Sequence, residues 1–335
     1  MRGETIQLSP RDWLIITSIP CSLDISKLAR RVNLPQSTVS RRLKSLSTQI
    51  SISFCTSKKA VGLKPTILFF TKPPYRLPAY TVSARTALVD CNEWYMVSGL
   101  IPETYVNEYI ELFVYQPLFK FIGEEKLFWR PDIALELGVI NITHEGLKVN
   151  YYKLSKVDYK WNMPDRRHID KYDMQIMFFK EKYAFTPLTE ILQKINRSNS
   201  SSVTIQALSY HFRKHVLPLW IGNSVKPYRK VSDYPLRLHV FECFDAEDLA
   251  LKLALVPHIY SIYCSKDGVA FTSQLSVKEM FMLTKTVLKK YKAKPVYKEI
   301  FLESSFRKYL IKYHELWDKD WLKPFVAKKA VVYRV

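Results

Sequence analysis

The sequence predicts an α+β protein: two winged helix-turn-helix modules, each followed by a ferredoxin-like βαββαβ unit. Three observations predict this. Apolar residues at helical spacing (i, i+3, i+4, i+7) open each half of the chain. Period-two alternation follows them, as in half-buried strands. The order strand, helix, hairpin, helix, strand then recurs, most plainly over 237–302.

Composition narrows the function classes. Of 335 residues, 47% are apolar, enough for ordinary cores. No run approaches the ~18 consecutive apolar residues of a membrane span. The start, MRGETIQLSPRDW, holds no apolar signal segment, so a soluble, cytoplasmic protein is expected. The 5 cysteines are odd in number, far apart and without a C-x-x-C pair, so neither a disulfide framework nor a zinc site is expected. With only 8 glycines there is no phosphate-binding loop, dinucleotide fingerprint or nucleophile elbow. No enzyme activity, cofactor or metal is expected. Few glycines with many Lys, Tyr and Ile resembles the composition of thermophilic archaeal proteins.

The net charge of +20 is unevenly placed. Residues 1–65 hold 11 Lys/Arg against 3 Asp/Glu, and 66–167 hold 12 against 12. Residues 168–236 hold 10 against 5, 237–302 hold 10 against 7, and 303–335 hold 8 against 4. The excess gathers where each half begins, as suits a polyanion met by particular modules.

The first module spans 1–65. Ser9-Pro10 is an N-cap followed by Pro at the first helical position, before Trp13, Leu14, Ile15 and Ile16. Asp24 caps a second helix with Ile25, Leu28, Ala29 and Val32 on one face. After Pro35, Ser37 is expected to cap a third helix that buries Val39, Leu43 and Leu46. Gln36, Ser37, Thr38, Ser40, Arg41 and Lys44 then face outward, with Arg42 flanking. Hydroxyls and amides can reach base edges, while Arg and Lys neutralise phosphates or read guanine. Next, Ile50, Ile52 and Phe54 alternate in a strand, and a second strand returns from a Ser57-Lys58-Lys59 tip. That predicts a wing whose Lys58 and Lys59 reach a neighbouring phosphate.

Residues 66–130 read as a divergent βαββαβ unit. PTILFF is a strand, the Pro-rich PPYRLPAYTV a short helix, ARTALVD and WYMVSGLIP a hairpin, PETYVNEYIELF a helix, and FKFIGEEKLFW a strand. Residues 131–167 form a connecting segment whose polar and aromatic mixture is long for a linker. The second module, 168–236, has a helix through Ile176, LTEILQKI, a looser turn NRSNSSS, and a third helix burying Leu208, Phe212 and Val216. Gln206, Ser209, Tyr210, Arg213 and Lys214 occupy its outer face. Leu217 to Ile221 start a wing that carries Lys226, with Arg229 and Lys230 after it. His211 and His215 stand at i and i+4 without a third ligand in the pattern, which favours packing or phosphate contact over a metal. The unit over 237–302 is complete, and 303–335 is a basic, aromatic extension packed on the nearest domain.

STVSRRLKSL, then ISISF, then KKAVGLKPTILFF, resembles the Lrp/AsnC (feast/famine) family of archaeal and bacterial regulators. HIDKYDMQIM, with Asp170-x-x-Asp173-x-x-Ile176, is similar to the family's D-x-x-D-x-x-I opening. The resemblance implies RAM/ACT-like effector domains, transcription regulation on double-stranded DNA, and a small-molecule effector, often an amino acid. Ordinary members carry one such unit and dimerise, and this chain resembles a tandem fusion of two. The Pro-rich first helix departs from the family pattern. Two non-identical readers one helical turn apart, ~34 Å, would engage successive major grooves. Six to ten phosphate contacts would make affinity fall by ~10³–10⁵ between 50 and 200 mM salt. The RAM-like domains are open to pairing the two halves, to forming a homodimer, or to building a higher oligomer by sheet-to-sheet contact. Two alternatives stand beside this reading. One is an architectural DNA-binding protein. The other is an enzyme, since siroheme decarboxylases look similar in architecture; His239 and His258 flank the region where their pocket would lie.

Overall fold

Caps and apolar stripes build the first three helices. The computed structural model describes residues 8–198, 203–305 and 307–325. The charged start, part of the NRSNSSS turn and the end of the basic tail lie outside the described residues. Helix α1 (Pro10–Ser18) opens with a full capping box, in which Ser9 Oγ accepts the Asp12 N–H and the Asp12 carboxylate accepts the Ser9 N–H. Asp24 caps α2 (Ile25–Arg31). Helix α3 (Gln36–Leu46) buries Val39, Leu43 and Leu46. Its N-cap is Pro35 rather than Ser37, with no side-chain cap. Pro35 sits at φ −57° and ψ 140°, and Ser37 is left exposed in the first turn.

Strands β1 (Ile50–Thr56), β2 (Leu63–Phe70), β3 (Thr81–Val89) and β4 (Asn92–Pro102) follow. After them come α4 (Val106–Glu111), β5 (Phe119–Ile122) and β6 (Glu125–Leu127). The connecting segment folds into α5 (Pro131–Glu136), β7 (Ile140–Thr143), β8 (Gly146–Val149) and α6 (Tyr151–Lys156). The second half repeats the plan with α7 (Lys171–Lys182), α8 (Leu188–Ser198), α9 (Ile205–His211) and β9 (Trp220–Pro227). A π turn, Phe212–Val216, prolongs α9. Then come β10 (Arg237–Glu242), α10 (Ala246–Leu253), β11 (Ile259–Cys264), β12 (Gly268–Ser273), α11 (Val277–Leu283), β13 (Lys294–Pro295) and β14 (Ile300–Leu302). The tail adds β15 (Arg307–Lys308), β16 (Trp317–Asp318) and β17 (Asp320–Trp321). Among these described helices none is long and apolar enough to cross a membrane.

All strand pairs are antiparallel, and the large sheet runs β5-β2-β4-β3-β14-β10-β12-β11-β6. Numbered within its own half, each set of four strands therefore lies in the order 4-1-3-2. The last strand of the second half pairs with β3, and β6, the continuation of β5, pairs with β11. Because β5 and β6 are separated only by Gly123 and Glu124, the sheet closes on itself through one stretch of chain. Ile67, Phe69 and Met96 from the first half share an apolar core with Leu238, Val240 and Ile300 from the second. On the other face, Phe70 meets Phe113, at the end of α4, with centroids 4.8 Å apart.

Four sequence expectations need correction. First, β1 and β2 do not form a wing. Strand β1 pairs with β9, from Ile50↔Pro227 to Thr56↔Trp220, while β2 enters the large sheet. The buried face of β1 finds its partner surface in the other half, where Phe54 stacks on Trp220 at 5.9 Å. The tip is used up as well: Ser57 Oγ and the Lys58 and Lys59 N–H groups all donate to the Glu125 carboxylate. Second, β9 is likewise no wing. Gly222 takes φ +127° and a Cβ there would stand 3.1 Å from the Pro20 carbonyl oxygen, so the ribbon lies directly against the α1–α2 turn. Third, PPYRLPAYTV is not a helix. Three prolines deny it the backbone donors, and the tail covers this stretch instead, with Ala79 N–H donating to Phe325 O and Tyr80 Oη to Leu322 O. Fourth, both closing strands are interrupted, at 123–124 and at 296–299.

The segments without a predicted fold turn out to be counterparts. Helix α5 and the β7–β8 hairpin pack on α1, while Tyr313–Glu315 and β16 pack on α7. Each opening helix is thereby backed by the segment that follows its own half.

Candidate nucleic-acid interface

The outer face of α3 has the composition expected of it. Gln36, Ser37, Ser40, Arg41 and Lys44 are exposed and Thr38 is half-buried, with no acid in the helix. Gln36 is steadied by Ser26, whose hydroxyl donates to Oε1 at 2.9 Å. Because Pro35 offers no side-chain cap, the first N–H groups of this 11-residue helix keep no side-chain partner from the cap. Such an end favours an anion.

Arg42 is withdrawn from that face. Its Nε donates to Asp12 Oδ1 at 2.9 Å and its Nη2 to Oδ2 at 2.6 Å, a bidentate clasp of α3 onto α1. Asp12 is 1% exposed. Burial pushes its carboxyl up, but the hydrogen bonds from Ser9 and Arg42 outweigh that and hold it below the usual carboxylate range. A lowered folded value means stability that is present above about pH 4 and lost as pH falls through that value. The denaturation midpoint of the native protein should therefore drop more between about pH 4 and pH 2 than that of Asp12→Asn. Parallel curves would show that the clasp does not titrate.

Lys58 is also corrected. It is 7% exposed, and its Nζ lies 2.5 Å from Glu181 Oε1 on α7. Tyr313 Oη donates to the other Glu181 oxygen at 2.8 Å. Burial works to lower the Lys58 value, but the Glu181 charge raises it further, so the ammonium stays charged. It fastens the ribbon to the second module and cannot reach a phosphate. Lys59 is exposed. Arg229 is likewise engaged, donating to Glu279 at 2.6 and 2.9 Å. Lys226 is partly buried, and burial pushes its ammonium down to about 7, helped by the charges of Lys126 and Lys308.

In the second half, Gln206, Tyr210, Arg213 and Lys214 are exposed and Ser209 is half-buried. The structure sets these residues along α9 and its π turn, with Leu208 and Val216 fully buried beneath and Phe212 partly so. The histidines reveal what the sequence reading missed. His211 Nδ1 lies 3.1 Å from Asp173 Oδ1 and His215 Nδ1 lies 3.0 Å from Asp173 Oδ2. Asp170 Oδ2 is 3.3 Å from His211 Nδ1. Asp170 and Asp173 are the N-cap and third residue of α7, the counterparts of Ser9 and Asp12. The capping box itself was the available signal, because it fixes which acid faces the third helix.

His239 stacks on Phe271 at 4.8 Å and burial pushes it down to about 4. His258 meets Trp13 edge-on at 6.3 Å and burial pushes it down to about 3. Each is closed in by aromatic rings. An open cleft of about 770 Å³ lies elsewhere, between α7 and the tail, lined by His168, Lys171, Gln175, His314 and Trp317 among others. Gln175 is buried, and its Oε1 has no hydrogen-bond partner. No family model matches this chain, and no curated protein matches it.

Proposed function

We propose that this chain is a sequence-specific, double-stranded-DNA-binding transcription regulator. It is built from two helix-turn-helix modules that share the β1–β9 ribbon in place of separate wings, and two ferredoxin-like, RAM-like units, all fused in one polypeptide. The observation that carries the reading is the acid-free outer face of α3, held over a fully apolar stripe and opened by an uncapped helix start. The 4-1-3-2 strand order in both halves supports the ferredoxin-like assignment. The sheet faces that a homodimer would need are already packed on each other inside one chain. The proposed unit is therefore a monomer that carries its own pair.

The reading assigns Gln36, Ser37, Thr38, Ser40, Arg41, Lys44 and Lys59 to one half-site. It assigns Gln206, Ser209, Tyr210, Arg213 and Lys214 to the other. The faces differ, so the half-sites should differ. Selection from a random duplex pool at ~150 mM salt, where purely electrostatic binding is already weakened, tests this directly. The expected result is an enriched motif with two unlike half-sites about one helical turn apart. Binding without enrichment would favour an architectural role, and no binding would sink the proposal. On the selected duplex, Arg41→Ala should weaken binding by ~1–3 kcal/mol and relax preference at one base pair. A variant that discriminates sequences as the native chain does removes Arg41 from base reading.

A further inference from the structure

The two halves hold their third helix to their first in chemically different ways. In the first half, Arg42 of α3 meets the buried Asp12 of α1, and Ser9 caps α1. Aligning the buried residues Val39 and Leu43 with Leu208 and Phe212 puts His211 in the place of Arg42. Asp170 takes the place of Ser9, and Asp173 that of Asp12. The second half has thus lost a permanent cation and gained a carboxylate at the same spot. His215, one turn beyond His211, adds a second imidazole. Two carboxylates and two imidazoles converge where the other half balances one carboxylate with one guanidinium.

We propose that Asp170, Asp173, His211 and His215 bind a first-row divalent transition-metal ion of the zinc, cobalt or nickel class. The four donor atoms all lie within 4.8 Å of one another. The neighbouring donor pairs stand 3.0, 3.1 and 3.3 Å apart. Ligands ~2.0–2.2 Å from a tetrahedral ion are themselves about 3.3 Å apart, so the pairs already in contact stand near the required spacing, and the wider ones, up to 4.8 Å, close on the ion. Imidazole with carboxylate suits these ions, whereas calcium and magnesium take oxygen alone. Asp173 is fully buried, which fixes one ligand, while the imidazoles keep 18 and 29% of their surface and leave a way in. The helix dipole at the start of α7 opposes a cation, but two full carboxylate charges exceed its half charge. The bound ion ties the start of α7 to the helix that carries Tyr210, Arg213 and Lys214. This site stands whether or not the chain binds DNA.

The test uses the full chain without a polyhistidine tag, stripped with chelator and titrated with Co²⁺. The expected result is a visible absorption band that saturates at one equivalent, is displaced by Zn²⁺, and accompanies a rise in thermal midpoint. The double variant Asp170→Ser/His211→Arg rebuilds the pairing of the first half, so it should fold by circular dichroism. It should bind Co²⁺ at least 100-fold more weakly, and its midpoint should ignore the ion. His215→Ala should also lose the band. No saturable band on the native chain, or an unchanged band in the folded double variant, would overturn the proposal.

Discussion

Replacing Lys58 by alanine is expected to cost about 3 kcal/mol of stability, read as a lower denaturant midpoint, because it leaves Glu181 without its cation in a mostly buried position. Lys58→Met, which keeps the apolar stem, should lose nearly as much. The informative variant is Lys58→Met/Glu181→Leu. Removing both charges also removes the desolvation that each imposes, so this double variant should recover most of the loss. The coupling is measurable because Lys58 and Glu181 are 123 residues apart and meet only when the two halves are assembled. If the double variant is as unstable as the singles, the loss comes from packing and the pair is not the clasp described here. The raised value of Lys58 means that its own charge does not limit this contribution until the pH rises past about 10.

The second large effect is on the salt dependence of DNA binding. Arg42, Lys58 and Arg229 are each tied to a carboxylate. With Arg41 assigned to a base, that leaves Lys44 and Lys59 on the first half and Arg213 and Lys214 on the second as the exposed cations assigned to phosphates. Four contacts give a slope of about −3.6 in log K against log salt, so affinity should fall about 150-fold between 50 and 200 mM. That is weaker than the fall that six to ten contacts imply. Anisotropy titrations across that range decide the matter. A slope near −9 would require cations outside this set. A slope near zero would remove the phosphate backbone from the interaction.

The sequence makes local features legible and distant ones opaque. The buried stripe Val39, Leu43, Leu46 and the hairpin over Asp267-Gly268 follow from periodicity and turn chemistry within a few residues, and both stand in the structure. So does the order of the second βαββαβ stretch. The partner of β1 could not be read, because nothing near residue 50 points to residue 227. Ser57-Lys58-Lys59 has the composition of a hairpin tip, and only the distant carboxylates of Glu125 and Glu181 bury it. The connecting segment escaped because its elements are 4–6 residues long, too short for a period to appear. In the candidate site, the outer faces of α3 and α9 were legible from their own spacing. The clasps Arg42–Asp12 and His211–Asp173 were not, since their partners lie 30 and 38 residues away.

The closed sheet also sets a timetable for synthesis. Strand β3 ends at Val89 but its neighbour β14 begins at Ile300. At roughly 5–20 residues per second, a ribosome leaves that edge waiting on the order of 10–40 s for its partner. During much of that interval β1 and β6 also stand without their neighbours β9 and β11, which invites chaperones, aggregation or exchange with a second nascent chain. Contacts this remote in sequence also slow the search itself. Refolding from denaturant should accordingly be slow and strongly concentration-dependent in yield, a kinetic burden that comes with having both partners on one polypeptide.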